Sequence, residues 1–253
     1  MTNYKIIIQY DGGRYNGWQR LRGNDNTIQG KIETVLSRIL DQPIEINGSG
    51  RTDAGVHALA QVANFIMDEK HLDKYYPNLA EHIKTEANNY LPLDIRVLSC
   101  EKAKDKFHAR LNAHSKVYEY RIDNGEVADI FNRKYLTRID TPIDIEKLKA
   151  ASKHFLGNHD FQAFCANKHM KKSTVRTINS IDIRKENGII YIRYDGDGFL
   201  RNMVRIITGT IVDVALGKIP ESDIDKIFES KVRANAAPTA PPEGLFLVEV
   251  RYN

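Results

Sequence analysis

The stretch Gly48 to Ala58, GSGRTDAGVHA, holds Arg51, Asp53 and His57 and sets three glycines around them. Glycines make backbone bends cheap, so this is the composition of a loop with an unusual path or one that another molecule approaches closely. Asp53 brings a carboxylate that can act as a nucleophile or as a base. Arg51, two residues earlier, brings a cation that favours the ionised carboxylate or meets a phosphate backbone. Taken alone, R-T-D is also the composition of an ordinary charged turn, with Asp53 as its cap and Arg51 as its partner. His57 reads as a loop-ordering hydrogen-bond partner. The spacing G-x-G-x-x-x-x-G matches neither the dinucleotide fingerprint nor the P-loop, and no lysine follows the last glycine, which speaks against a phosphate cradle.

Other chemistry-bearing residues fall in four places. FLRNMVRIITG sets Arg201 and Arg205 four apart, on one face of a helix whose stripe of Leu200, Met203, Val204, Ile207 and Ile211 is buried. In KVYEY, Lys116, Tyr118 and Tyr120 share one side of an alternating strand, and Tyr120 reads as a packing residue. His154, His159, Cys165 and His169 lie close in sequence but fit no common zinc spacing, and Asp195 and Asp197 in YDGDG lack the further ligands of a calcium loop.

The elements that position these residues follow from periodicity. YKIIIQYD is a first strand that meets Gly12-Gly13. NTIQGKIETVLSRIL carries Ile28, Ile32, Val35, Leu36, Ile39 and Leu40 at helical spacing, with Asn26 and Gln29 placed to cap its start and Pro43 to end it. PIEIN and QVANFIM read as strands on either side of the glycine-rich loop. NLAEHIKTEANNYL is a helix stopped by Pro92 before the strand IRVLSC. After about residue 104 the order repeats. The strand KVYEYRI, the helix DIEKLKAASKHFLG, the strands INSIDIRK and GIIYIRYD joined at Glu186-Asn187-Gly188, and the helix from FLRNMVRI onward form a second half. APTAPPEG is a short rigid loop leading into a last strand. Two β-α-β halves, residues 1–103 and 104–253, predict an α+β sheet covered by helices and not a doubly wound fold.

Composition bounds the rest. A chain of 253 residues with 42% hydrophobic and 28% charged residues buries a sizeable core. A net charge of +4 is only a mild bias toward polyanions. Two distant cysteines make no secreted-type disulfide framework, the first residues lack an export signal, and no apolar run is long enough to span a membrane, all of which point to a cytoplasmic protein.

Six blocks in order, YDGGRYNGWQ, GSGRTDAGVHA, KVYEY, NHDFQAF, FLRNMVRIITG and PPEGLFLVEVRY, resemble the TruA family of tRNA pseudouridine synthases from end to end. Gly13 stands where the family usually has threonine, a change expected to alter the first loop and not the chemistry. The resemblance implies the pseudouridine synthase fold, with the halves sharing a largely antiparallel, mixed sheet around a central active-site cleft. It implies isomerisation of uridine to pseudouridine at positions 38 to 40 of the tRNA anticodon stem-loop by a homodimer, without metal or cofactor. It gives Asp53 the role of catalytic nucleophile or base, Arg205 that of its ion-pair partner, Tyr118 that of the ring stacked on the target base, and Leu245 that of the apolar residue beneath it. It also gives Arg51 the role of filling the stack vacated when the nucleotide is extruded. RNA contacts are expected from Arg14, Lys116 and Arg201, and from Arg20, Arg110, Lys168, Lys171, Lys172 and Arg176. A non-catalytic tRNA-binding or folding module on the same scaffold, and a nucleoside hydrolase using Asp11 or Asp195 as a second carboxylate, are the competing readings.

Overall fold

The structure, a computed structural model, describes residues 1–69, 72, 76–167 and 172–253, which form ten strands and five α-helices. Most pairings are antiparallel, giving the mixed α+β class expected from the sequence. The chain divides into two compact units, one of Met1–His114 with Leu247–Asn253, the other of Ser115–Phe246.

The first unit contains β1 (Thr2–Tyr10), α1 (Ile28–Ile39), β2 (Asn47–Gly48), β3 (His57–Met67), α2 (Leu79–Tyr90) and β4 (Ile95–Lys102). β1 lies between β3 and β4 and is antiparallel to both. Its alternation puts Tyr4, Ile6, Ile8 and Tyr10 in the core, with Ile28, Ile32 and Leu36 of α1 and Leu79, Ile83 and Ala87 of α2 also buried.

Two local expectations are corrected here. Thr27, not Asn26, caps α1: its Oγ1 accepts from Gly30 N–H at 3.3 Å, while the Asn26 carboxamide donates to the Arg14 carbonyl. The helix also stops before Pro43, because Asp41 takes a left-handed backbone with φ of 48°. PIEIN pairs only through Asn47, since the Ile44 and Ile46 N–H groups donate to Ser37 Oγ and Glu33 Oε1 of α1 instead of to a strand.

The second unit contains most of β5 (Ala113–Asp123), then β6 (Thr137–Arg138), α3 (Ile145–Lys153), β7 (Gly157–Asp160), β8 (Val175–Glu186), β9 (Ile189–Gly196), α4 (Met203–Ala215) and α5 (Asp223–Ser230). The last strand, β10 (Leu245–Tyr252), starts in this unit and ends in the first. Its sheet runs β5, β9, β8, β7, with β6 parallel to β5. The β8 to β9 turn has positive φ at Asn187 and Gly188, the geometry that matches the twist of a hairpin. Tyr118, Tyr120 and Ile122 of β5 stand opposite Tyr194, Ile192 and Ile190 of β9, on one face of the sheet. Tyr194 reaches α4 there, its hydroxyl 2.8 Å from Thr208 Oγ1. α5, short and poor in apolar residues, is an element that the sequence reading did not anticipate. Its Phe228 packs on Phe155, Phe161 and Phe164, which gives the NHDFQAF block an architectural purpose.

Candidate active site

The glycine-rich loop bridges β2 and β3 in the first unit. Thr52 is buried, held by the Tyr10 hydroxyl at 2.8 Å and by the Trp18 N–H, which donates to its carbonyl at 3.0 Å. Burial pushes the Tyr10 phenol above its ordinary range, so its proton stays available for this contact. The Asp53 carbonyl accepts from Val56 N–H at 3.2 Å, closing a turn in which Gly55 has φ of 81°, a backbone that residues with a Cβ rarely adopt. With Thr52 pinned inward, Arg51 is exposed and Asp53 is half-buried. The carboxylate is thus carried on a rigid bend at the surface of the unit.

His57 opens β3 at 1% exposure, with Nδ1 lying 3.0 Å from Asp11 Oδ1 and 3.1 Å from Gly12 N. It ties the end of the loop to the turn after β1, the ordering role read from the sequence. Arg14 is engaged by Asp94, at 2.9 Å through Nε, and the Tyr15 hydroxyl donates to the same carboxylate at 2.6 Å. Burial works to raise the Asp94 carboxyl, but these hydrogen bonds and the Arg14 charge outweigh it and hold it below the usual range. Arg20 lies 2.9 Å from Glu33.

The other expected site residues lie in the second unit. Tyr118 is buried, edge-on to Phe199 with ring centres 5.2 Å apart, and Lys116 is half-buried opposite Gly196. Arg205 is half-buried on α4, its Nε donating to the Ala240 carbonyl at 2.7 Å and its Nη1 to Asn202 Oδ1 at 3.3 Å. The Ala240 N–H returns a bond to the Arg205 carbonyl at 3.1 Å. Next along the same loop, the Pro241 carbonyl accepts from the Tyr120 hydroxyl at 2.7 Å, and the Gly244 carbonyl accepts from Arg121 N–H at 2.8 Å. The proline-rich segment is therefore clamped between α4 and β5. That clamp delivers Leu245, 5% exposed, at the start of β10.

Arg201 departs from expectation. α4 begins at Met203, after Asn202 with φ of 60°, so Arg201 precedes the helix and does not share a face with Arg205. The left-handed residue breaks the helical register that the spacing implied. Arg201 is exposed, and its carbonyl accepts from Ala166 N–H at 3.0 Å. Asn202 itself was missed; asparagine is one of the few residues with a Cβ that takes a left-handed backbone readily, and its type at that position is the signal that could have found it.

The described members of the histidine cluster are occupied by structural contacts. His154 lies between Asp225 and Glu221 at 2.9 and 3.2 Å, His159 Nε2 contacts the Leu156 carbonyl at 2.7 Å, and Cys165 Sγ accepts from Asn167 N–H at 3.4 Å. Among the basic candidates, Arg110 and Lys172 are exposed, and Arg176 donates to the Ser173 carbonyl at 3.1 Å. Lys168, His169 and Lys171 lie outside the described residues. Among the described residues, no helix is long and apolar enough to cross a membrane.

The sequence matches the family profile described as tRNA pseudouridine synthase over residues 6–110 and 151–253, more than half of the chain. The chain belongs to the tRNA pseudouridine synthase family. Proteins named tRNA pseudouridine synthase A 2 from Bacillus cereus and Bacillus anthracis are each 47% identical over 253 residues, with 100% of both chains covered. One named tRNA pseudouridine synthase A from Acetivibrio thermocellus is 40% identical over 252 residues, again with 100% of both covered. In this member of the family, the loop bearing Asp53 and the clamp bearing Arg205 and Leu245 are each held by hydrogen bonds within their own unit.

Proposed function

We propose that this protein converts uridine to pseudouridine at positions 38 to 40 of the tRNA anticodon stem-loop, acting as a cytoplasmic homodimer, with Asp53 as the catalytic carboxylate. The observation that carries the reading is end-to-end kinship: relatives named tRNA pseudouridine synthase A align over the whole chain at 40% to 48% identity. Asp53 is the carboxylate of the loop GSGRTDAGVHA, and that loop is fixed at Thr52 and turned at Gly55.

The chemistry needs little more. The N1 to C1′ bond breaks, the sugar rejoins at C5, the C5 proton leaves and N1 takes one up, so atoms and electrons balance without a redox partner. Asp53 supplies either a nucleophile, at C1′ or at C6, or a base at the sugar. A base inside a helix must be extruded to be reached. Arg51 is exposed and fits the filling of the vacated stack, while Tyr118 and Leu245 offer a flat ring and an apolar floor for the base. Arg205 keeps the carboxylate ionised, a role served by a guanidinium already oriented at Nε and Nη1. Lys116, Arg14 and Arg201 meet phosphate.

The test is a site-by-site map of pseudouridine in unmodified tRNA treated with the purified protein. Pseudouridine confined to positions 38 to 40 is the expected result. Free uracil would assign a hydrolase, and RNA that is bound but unchanged would assign a non-catalytic module.

A further inference from the structure

One side chain grips the glycine-rich loop from eight residues beyond Asp53. Gln61 has 0% exposure in β3, opposite Ile8 of β1. Its Nε2 donates to the Gly50 carbonyl at 3.1 Å, and its Oε1 accepts from the Ser49 hydroxyl at 2.6 Å. The Tyr10 hydroxyl meets Thr52 Oγ1 at 2.8 Å. The next residue of the strand, Val62, accepts from Ser49 N–H at 2.7 Å. Ser49 and Gly50 are thus tied to one carboxamide, Thr52 is held by Tyr10, and the exposed residue between Gly50 and Thr52 is Arg51.

A carboxamide with a donor and an acceptor on one rigid plane can hold a carbonyl and a hydroxyl at once. A buried polar group left without its partner is costly, so the loop path and the Gln61 rotamer enforce one another. An apolar residue would fill the same space without fixing the loop.

We propose that Gln61 is a positioning residue for the isomerisation: its carboxamide sets the path of Ser49 and Gly50, and through it the place of the Asp53 carboxylate. This rests on the reading of Asp53 as the catalytic group.

The test compares variants in single turnover on an unmodified anticodon-arm RNA, with RNA affinity and melting temperature measured alongside. Gln61→Met keeps the length of the side chain but forms neither bond. Its single-turnover rate is expected to fall about tenfold to a hundredfold, the loss that goes with misplacing a reacting group by about an ångström, while the Kd for RNA stays within about twofold. Gln61→Glu reproduces the donor and acceptor pair only when its carboxyl is protonated, so its rate relative to the wild type is expected to climb as the pH is lowered. A Gln61→Met rate equal to that of the wild type overturns the proposal. If that variant fails to fold, a Gln61→Glu to wild-type ratio that is flat with pH overturns it instead. Asp53→Asn is run beside them: product from it overturns the reading of Asp53 and this proposal together. An inactive Asp53→Asn beside a fully active Gln61→Met overturns the positioning role alone.

Discussion

Gly209, midway along α4, is where a single methyl group tests the clamp that holds Arg205. A Cβ built there lies 2.2 Å from the Pro238 carbonyl oxygen, and ordinary contact begins at 3.4 Å, so the carbonyl would have to retreat by about 1.2 Å, the difference between them. That oxygen belongs to the backbone of a proline-rich loop and cannot swing aside as a side-chain tip does. Two effects of Gly209→Ala compete. Helix propensity favours alanine by about 0.5–1 kcal/mol. Overpacking against a fixed neighbour costs about 1–3 kcal/mol. The clash wins, leaving a destabilisation of about 1–2 kcal/mol, or about 2–8 °C in Tm for a protein of this size. The displaced segment includes Ala240, which exchanges two hydrogen bonds with Arg205 at 2.7 and 3.1 Å. A shift of about 1 Å there is therefore expected to lower the single-turnover rate by up to about a hundredfold. Thermal unfolding and single-turnover isomerisation of the same preparation provide the check. An unchanged or raised Tm with a wild-type rate would refute the reasoning, because helix propensity would then have decided the outcome.

Two further outcomes follow from the same unit. Burial lowers the His154 pKa, but its hydrogen bonds to Asp225 and Glu221, and their charges, outweigh that and raise it, so the stabilisation is present in full below the unfolded value of about 6.5 and is lost as pH rises through the folded value. The Tm advantage of the wild type over His154→Gln should accordingly shrink as melts are taken from about pH 6 to about pH 9. Asn202 takes its left-handed backbone at φ of 60° while accepting from Arg205. Asn202→Ala is expected to lose about 1–2 kcal/mol in denaturant unfolding and Asn202→Gly to lose little, whereas both lower the single-turnover rate by removing the Arg205 contact.

Much of this was legible in the sequence because periodicity reports burial. The alternation of β1 and the stripe of Leu200, Met203, Val204, Ile207 and Ile211 are buried as their spacing predicts. Glycines around R-T-D marked the loop, and Asn187-Gly188 marked the hairpin. What escaped were effects that local pattern does not encode. Asn202 turns the chain out of register one residue before α4, so Arg201 is not a helical neighbour of Arg205. Ile44 and Ile46 give their N–H groups to side chains of α1, which leaves PIEIN mostly outside the sheet. Gln61 lies in a strand buried on both faces, where no alternation separates a loop-holding carboxamide from its packing neighbours.

The central claim is that the Asp53 carboxylate performs the isomerisation, and loss of the C5 proton reports on that reaction directly. Tritium release from anticodon-arm RNA carrying C5-labelled uridine is predicted for the wild type and is predicted to vanish in Asp53→Asn, with RNA affinity retained. Release by Asp53→Asn at the wild-type rate would contradict the account.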